Sequence, residues 1–151
     1  MGSGKLNLLV IFMISTLLTN NINTIENAVQ TLSYIFFGEP ASKSNSRRLV
    51  RFGGLSRLIK SHKALSYSDS FKQQAKELEL AGASGLISGD VRVTMHIYYA
   101  SRRPDLDESL ILDLLQGVAY MNDRQVKEKH IYWGLDKERP RSEITVEKID
   151  Q

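Results

Sequence analysis

A strictly alternating stretch constrains the fold of this chain most. Apolar side chains occupy every second position in it, at Val91, Val93, Met95, Ile97 and Tyr99. Successive side chains of a β-strand point to opposite faces, so this pattern predicts a strand with one face buried. A strand buried on one face needs neighbouring strands and a covering layer, and the rest of the chain has to supply both.

Five further stretches have the pattern of strands. Residues 34–37 form a short apolar run that ends at Gly38. Residues 47–61 predict a β-hairpin whose turn is Gly53-Gly54. A closing pair of strands is predicted over residues 127–135 and 142–149.

Two stretches have the pattern of helices. In residues 68–83, Phe71, Ala75 and Leu78 are spaced for one helix face, with Ser68 or Asp69 as the N-cap and Gly82 at the end. Residues 107–117 have an apolar stripe behind Asp107 as the N-cap, with Gly117 at the C-terminal end. The order β, ββ, α, β, α, β, β predicts an α+β fold, a small mixed or antiparallel sheet with two main helices packed on it.

The first 33 residues differ from the rest. Leu8 to Leu18 is an apolar run too short to span a membrane, and no small-residue cleavage site of a signal peptide follows it. We therefore interpret residues 1–33 as an appended segment, weakly ordered or an extra helix, before a domain over residues 34–151. No membrane partner is expected, although the run leaves a secreted or membrane-associated protein open as an alternative.

Charge is distributed unevenly along the chain. The net charge is only +3, but residues 41–66 carry seven bases and no acid, while acids concentrate from Asp105 onward. A basic segment with an acidic cluster suits an enzyme that acts on a polyanion with the help of a metal, whereas charge alone favours the alternative, a solvated basic face. With no cysteine in the sequence, disulfides, thiolate zinc sites and cysteine nucleophiles are excluded. The predicted phosphate contacts are Lys43, Arg47, Arg48, Arg51, Arg57, Lys60, Lys63 and Arg103.

An acidic motif lies between the alternating strand and the second helix. Asp105 and Asp107 are two residues apart, so in extended backbone they share one side. The helix and its following turn can bring Asn122-Asp123 back towards them. Three converging carboxylates repel unless a cation compensates, and Mg²⁺ or Mn²⁺ suits such oxygen ligands. The alternative is that Asp107 is a helix cap, Asp105 a loop acid and Asp123 a turn residue.

The stretch RRPDLDESLILDLLQGVAYMNDRQV, residues 102–126, resembles the central motif of the RusA-type Holliday-junction resolvases, which are common in phages and prophages. That family carries Asp-Leu-Asp, a helix with an Asp, and an Asp-Asp-x-Gln element. The counterparts here are Asp105-Leu106-Asp107, Asp113 and Asn122-Asp123-Arg124-Gln125. Residues 38–45 also resemble the start of phage members, so the resemblance covers about residues 34–148.

The resemblance implies a homodimer of α+β subunits that binds branched DNA, the four-way junction, and cuts its backbone with Mg²⁺ or Mn²⁺. Asp105, Asp107 and Asp123 would be the catalytic, metal-binding acids. The implied role is DNA recombination and repair in the cytoplasm of a bacterial or phage-infected cell.

Two positions depart from the family pattern. Glu108 stands where the family usually has Asn, and Ile111 stands where it has a lysine that stabilises charge at the scissile phosphate. Isoleucine cannot do this, so either another base substitutes or activity is lower or lost. If activity is lost, the alternative function is that of a non-catalytic relative that binds branched DNA. The candidate substitutes are Lys127, Lys129, Arg103 and Lys43.

Overall fold

A four-stranded mixed sheet forms the centre of the molecule. The computed structural model describes residues 30–42, 45–83 and 85–150. The strands are β1 (Thr31–Phe37), β4 (Val91–Tyr99), β5 (Val126–Leu135) and β6 (Arg141–Lys148), in the order β1-β6-β4-β5. Strand β6 is antiparallel to β1 and β4, whereas β4 and β5 are parallel. With its two helices, this confirms the predicted α+β class with a mixed sheet.

One face of the sheet packs against the helices. All five alternating residues of β4 are fully buried, as the sequence pattern predicts. Helix α1 (His62–Leu80) and helix α2 (Ser109–Leu115) complete this core. The ring of Phe71 on α1 stacks on Phe36 of β1 with 3.7 Å between centroids. The acidic motif lies in the loop between the end of β4 and the start of α2.

The predicted hairpin is confirmed and forms a separate two-stranded sheet. Its strands are β2 (Arg47–Phe52) and β3 (Leu55–Lys60). Gly53 and Gly54 have φ of 55° and 82°, the left-handed values of a two-residue type I′ turn, where glycine is favoured. Every residue of the two strands except Val50 is exposed. The hairpin is therefore an arm that extends from the core.

Helix α1 begins earlier than predicted. The N-cap is Ser61, whose Oγ accepts a hydrogen bond from the N–H of Ala64 at 3.2 Å, so the prediction of Ser68 or Asp69 as the cap was wrong. Ser68 is instead buried, and its Oγ donates to the carbonyl of Ala64. A serine can cap a helix or bond back to the preceding turn, and the local sequence does not distinguish the two. The predicted end at Gly82 is confirmed, with φ of 78°.

Helix α2 is shorter than predicted. Its N-cap is Glu108, which makes no side-chain cap, but Oδ1 of Asp107 accepts from the N–H of Ser109 at 3.0 Å. The prediction of Asp107 as the N-cap was therefore wrong by one position, although its side chain bonds to the start of the helix. Gly117 follows the helix with φ of 80°.

The ends of the domain also differ in detail from the sequence expectation. The last two strands are not neighbours, because β6 inserts between β1 and β4. Strand β1 begins at Thr31, three residues before the expected domain start. Of residues 1–33, which we interpreted as an appended segment, residues 1–29 lie outside the described residues, so that interpretation stays a prediction for them. In the described part of the chain, no helix has the length and apolar character to cross a membrane.

Candidate active site

The hydroxyl of Tyr99 holds the backbone of the acidic motif. Tyr99 is the last residue of β4, and its ring is buried in the core. The hydroxyl donates to the carbonyl of Asp105 at 3.1 Å and accepts from the N–H of Asp107 at 3.2 Å. The strand thereby fixes the loop that carries both aspartates.

Three carboxylates surround this hydroxyl. Burial raises the pKa of Tyr99, and the nearby charges of Asp107, Glu39 and Glu108 raise it further. An ionised phenol beside these acids is unfavourable, because like charges repel. Tyr99 therefore serves as a neutral hydrogen-bonding group that orders the loop.

Two of these acids already have cationic partners. Glu39 accepts from Lys63 Nζ at 2.6 Å and from the N–H of Ala100 at 2.8 Å. Glu108 accepts from Lys129 Nζ at 2.8 Å. Partial burial favours a higher pKa for each carboxyl, but these hydrogen bonds outweigh it and lower the pKa. Both glutamates therefore stay ionised and balance local positive charge.

The Asn122–Gln125 element forms a compact 3₁₀ turn. Oδ1 of Asn122 accepts from the N–H of Arg124 at 2.9 Å, so this oxygen caps the turn. The side chain of Gln125 makes four hydrogen bonds: Oε1 accepts from the N–H groups of Met121 and Asn122, and Nε2 donates to the carbonyls of Ile87 and Gly89. Gln125 thus fixes the segment that carries Asp123 to the chain before β4.

The sequence prediction missed this role of Gln125. The signal was the Asn-x-x-Gln spacing of a capping box, in which the two side chains satisfy each other's backbone N–H groups.

The charges of Asp113 and Asp123 both act on a second buried tyrosine, Tyr120. Tyr120 is fully buried, and its hydroxyl donates to the carbonyl of Leu112 at 2.9 Å. Burial raises the pKa of Tyr120, and the charges of Asp123 and Asp113 add to this effect. The 3₁₀ turn that carries Asp123 lies against helix α2, which carries Asp113.

A cleft of about 300 Å³ joins the acidic motif to the base of the hairpin arm. Asp107 and Asp113 lie on one side of this cleft, and Arg47 and Lys60 line it from the hairpin. Arg47 and Lys60 are direct cross-strand partners, so their side chains share one face of the arm. Carboxylates that can hold a cation thus lie beside cations that can hold a phosphate.

Comparison with known proteins gives the family of the chain. The model of the family described as Endodeoxyribonuclease RusA matches residues 38–147, more than half of the 151-residue chain. This chain belongs to the RusA endodeoxyribonuclease family. The RusA match includes the arm, both helices and every part of the cleft. A search of curated proteins found no match.

The acids of the RusA motif do not form one compact cluster. Among residues 30–42, 45–83 and 85–150, no three Asp, Glu or His side chains are close enough to hold one metal ion. The structure brings Asp107 and Asp113 to one cleft and Asp113 and Asp123 to one tyrosine, while Asp105 is exposed. The convergence of Asp105, Asp107 and Asp123 stays a prediction. Mg²⁺ is often bound by one or two carboxylates with water and substrate phosphates, and the donors of the cleft fit this pattern.

The predicted basic residues fall into three groups. Five of them lie on the arm: Arg47, Arg48, Arg51, Arg57 and Lys60. Lys63 lies at the start of α1 in an ion pair with Glu39. Arg103 is exposed in the loop before Asp105, and Lys43 lies outside the described residues.

The position of the missing RusA lysine lies in the core. Ile111 on α2 is fully buried among apolar side chains. Of the candidate substitutes, Lys129 pairs with Glu108 beside the acidic motif. Arg47 and Lys60, which the sequence analysis proposed only as DNA contacts, line the cleft itself.

Proposed function

We propose that this RusA-family chain is a metal-dependent endonuclease that resolves Holliday junctions by hydrolysing phosphodiester bonds. The observation that carries the proposal is the cleft in which Asp107 and Asp113 lie beside Arg47 and Lys60. Phosphodiester cleavage needs a bound cation and a positively charged cradle for the phosphate, and the cleft has side chains for both.

The proposed roles follow from the chemistry of each group. Asp105, Asp107 and Asp123 would hold Mg²⁺ or Mn²⁺, and Asp113 is a further carboxylate that lines the cleft with Asp107. When bound, the metal would supply Lewis-acid polarisation of the phosphate. Arg47 and Lys60 bind the phosphate and stabilise the negative charge that develops on it.

The RusA resemblance also motivates a homodimer. Two copies related by a two-fold axis would present two clefts and two arms, which suits a four-armed DNA with two strands to cut. We place this activity in DNA recombination and repair, in the cytoplasm of a bacterial or phage-infected cell.

The direct test is incubation of the protein with a synthetic four-way junction in Mg²⁺ or Mn²⁺. We expect symmetric nicks, and Asp107→Asn should lower the cleavage rate by about two orders of magnitude, because a ligand charge is lost. The matched control is Asp69→Asn, the same change on the exposed side of α1, which should cleave like the parent. An intact junction under both metals would exclude catalysis.

The second candidate is a non-catalytic protein that binds branched DNA. The observation that favours it is Ile111, whose side chain is in the core and provides no charge at the cleft. Tight junction binding in a gel shift without nicks in either metal would select this function.

A further inference from the structure

The arm exposes apolar side chains that the core does not use. Phe52 and Leu55 are direct cross-strand partners on either side of the Gly53-Gly54 turn, and they are 78% and 66% exposed. An isolated two-stranded hairpin is only marginally stable in water, so an apolar tip gives the arm itself little stability. An apolar pair at this place instead suits a surface that another molecule covers.

The charge of the arm indicates what covers its tip. Residues 47–60 carry five bases and no acid, and Arg51 and Arg57 adjoin the apolar pair by one and two residues in sequence. Contact between the arms of two copies would bring ten cations together, which is unfavourable. A nucleic acid offers the complementary charge in its phosphates and apolar surfaces in its base pairs.

We infer that the arm inserts Phe52 and Leu55 between base pairs next to the branch point of the DNA. This inference rests on the proposed function, in so far as branched DNA is the substrate. Apolar wedges such as phenylalanine and leucine enter DNA by unstacking a base step, which costs a few kcal/mol in a continuous duplex. At a branch point the stacking of base pairs is already interrupted. The inserted side chains can therefore stack on the exposed bases without the full cost of unstacking a base step.

The length of the arm sets the distance between insertion and cleavage. Arg47 at the cleft and Phe52 at the tip are separated by five residues of extended strand, about 16 Å at roughly 3.3 Å per residue. Since successive phosphates of one strand rise about 3.4 Å along the duplex, the scissile phosphate lies within about five nucleotides of the inserted side chains.

The test uses four-way junctions with 2-aminopurine next to the branch point, a base whose fluorescence rises when it is unstacked. Binding is measured in EDTA, so no cleavage is needed. We expect the parent protein to raise the fluorescence, and Phe52→Ala/Leu55→Ala to abolish the rise. The double variant should also lose about tenfold in junction affinity, because stacking of one side chain on bases is worth about 1–3 kcal/mol. Its affinity for a linear duplex should stay within about twofold, because the phosphate contacts remain.

Two controls separate the tip from the rest of the arm. Leu49→Ala/Leu58→Ala removes another exposed cross-strand pair, on the opposite face and away from the turn, and should keep the fluorescence rise. Phe52→Trp keeps an aromatic wedge and should bind the junction as the parent does. Circular dichroism of each variant checks that the core is folded.

Three results would overturn the inference: an unchanged fluorescence rise in the tip variant, equal losses of affinity for junction and duplex, or a change of oligomeric state on size exclusion. The last would make the tip a contact between subunits. If the parent gives a tip-dependent rise but never cuts, the inference stands and the proposed catalysis fails. If the parent cuts and the rise does not depend on the tip, only the inference fails, and a parent that binds no junction overturns both.

Discussion

The departure from the RusA pattern at Ile111 has two possible explanations, a residue that faces the cleft or one that is buried in the core. If the isoleucine were solvated and faced the cleft, a lysine at the same position could supply the missing positive charge. The observed isoleucine is fully buried on α2 and packs in the core. The substitution therefore belongs to the packing of this subunit, and positive charge at the cleft comes from the arm.

We predict that Ile111→Lys does not raise the rate of junction cleavage above that of the parent. A buried ammonium lacks solvation, so the change should lower the free energy of unfolding by about 3–5 kcal/mol. Ile111→Val, which keeps the site apolar, should cost about 1 kcal/mol. Urea denaturation measures both, and the junction assay should show no faster cleavage by the lysine variant. A stable variant that cuts faster would place residue 111 at the cleft.

Glu39 gives the molecule a defined sensitivity to acid. Hydrogen bonds from Lys63 and the N–H of Ala100 lower its pKa from the ordinary value of 4.5. The unfolded chain then binds a proton more readily than the folded one. The stabilisation is complete above pH 4.5 and is lost as the pH falls through the lower folded pKa.

We therefore expect Glu39→Gln to flatten the fall in stability below pH 4.5. Denaturation midpoints of the parent and the variant should converge as the pH is lowered. Glu138→Gln, at an exposed position, is the matched control and should follow the parent. A constant difference between the parent and Glu39→Gln at every pH would contradict this account.

At the scale of elements, the 3₁₀ turn after α2 depends on one glutamine. The amide of Gln125 both accepts from its own turn and donates to the carbonyls of Ile87 and Gly89. Only a carboxamide can fill both roles at once. The position of Asp123 relative to α2 therefore rests on a residue that carries no charge.

We predict that Gln125→Glu destabilises the protein by about 1–3 kcal/mol, because both donors are lost and a carboxylate faces two carbonyls. Gln116→Glu makes the same change at an exposed position and should have little effect. Thermal unfolding compares the two. Equal stability of both variants would show that the two donated hydrogen bonds contribute nothing.

Most helices and strands could be predicted, because the sequence patterns that determine them lie within a few residues. The alternation of β4 and the Gly53-Gly54 turn each determine backbone geometry within a few residues. The predicted start of α1 was wrong because several nearby serines can all cap a helix. The packing of Ala64 and Tyr67 in the core decides among these serines. The place of β6 between β1 and β4 depends on distant segments, which no local pattern records.

The site was predictable only in part for the same reason. The spacing of Asp105 and Asp107 on one extended segment follows from strand geometry, whereas their convergence with Asp123 stays a prediction. The cleft that joins Asp113 to Arg47 and Lys60 needs the base of the arm to lie beside α2, and nothing in either segment alone indicates that placement.

At the scale of the whole molecule, one projection carries charge of a single sign. The arm holds five bases, while acids lie around the cleft at its base. Such a distribution attracts the DNA backbone along the arm towards the carboxylates, and salt weakens this attraction.

We predict a steep salt dependence of junction binding. Each phosphate contact removed lowers the slope of log K against log salt by about 0.9. Arg51→Gln/Arg57→Gln should therefore lower the slope by about 1.8 if both contact phosphates. Lys137→Gln, in the exposed connection between β5 and β6, is the control and should leave the slope unchanged. A salt-independent affinity would contradict DNA binding by the arm.

The arm is joined to the domain chiefly at its base. There, Ser61 donates from its N–H to the carbonyl of Ser46 and from Oγ to the carbonyl of Asn45. Because the exposed strands fill no space in the core, their sequence can change without repacking the domain. Substrate preference and stability can thus evolve independently. Exchanging residues 48–59 between family members is accordingly a means of redirecting the enzyme to another DNA structure while Arg47 and Lys60 of the cleft stay in place.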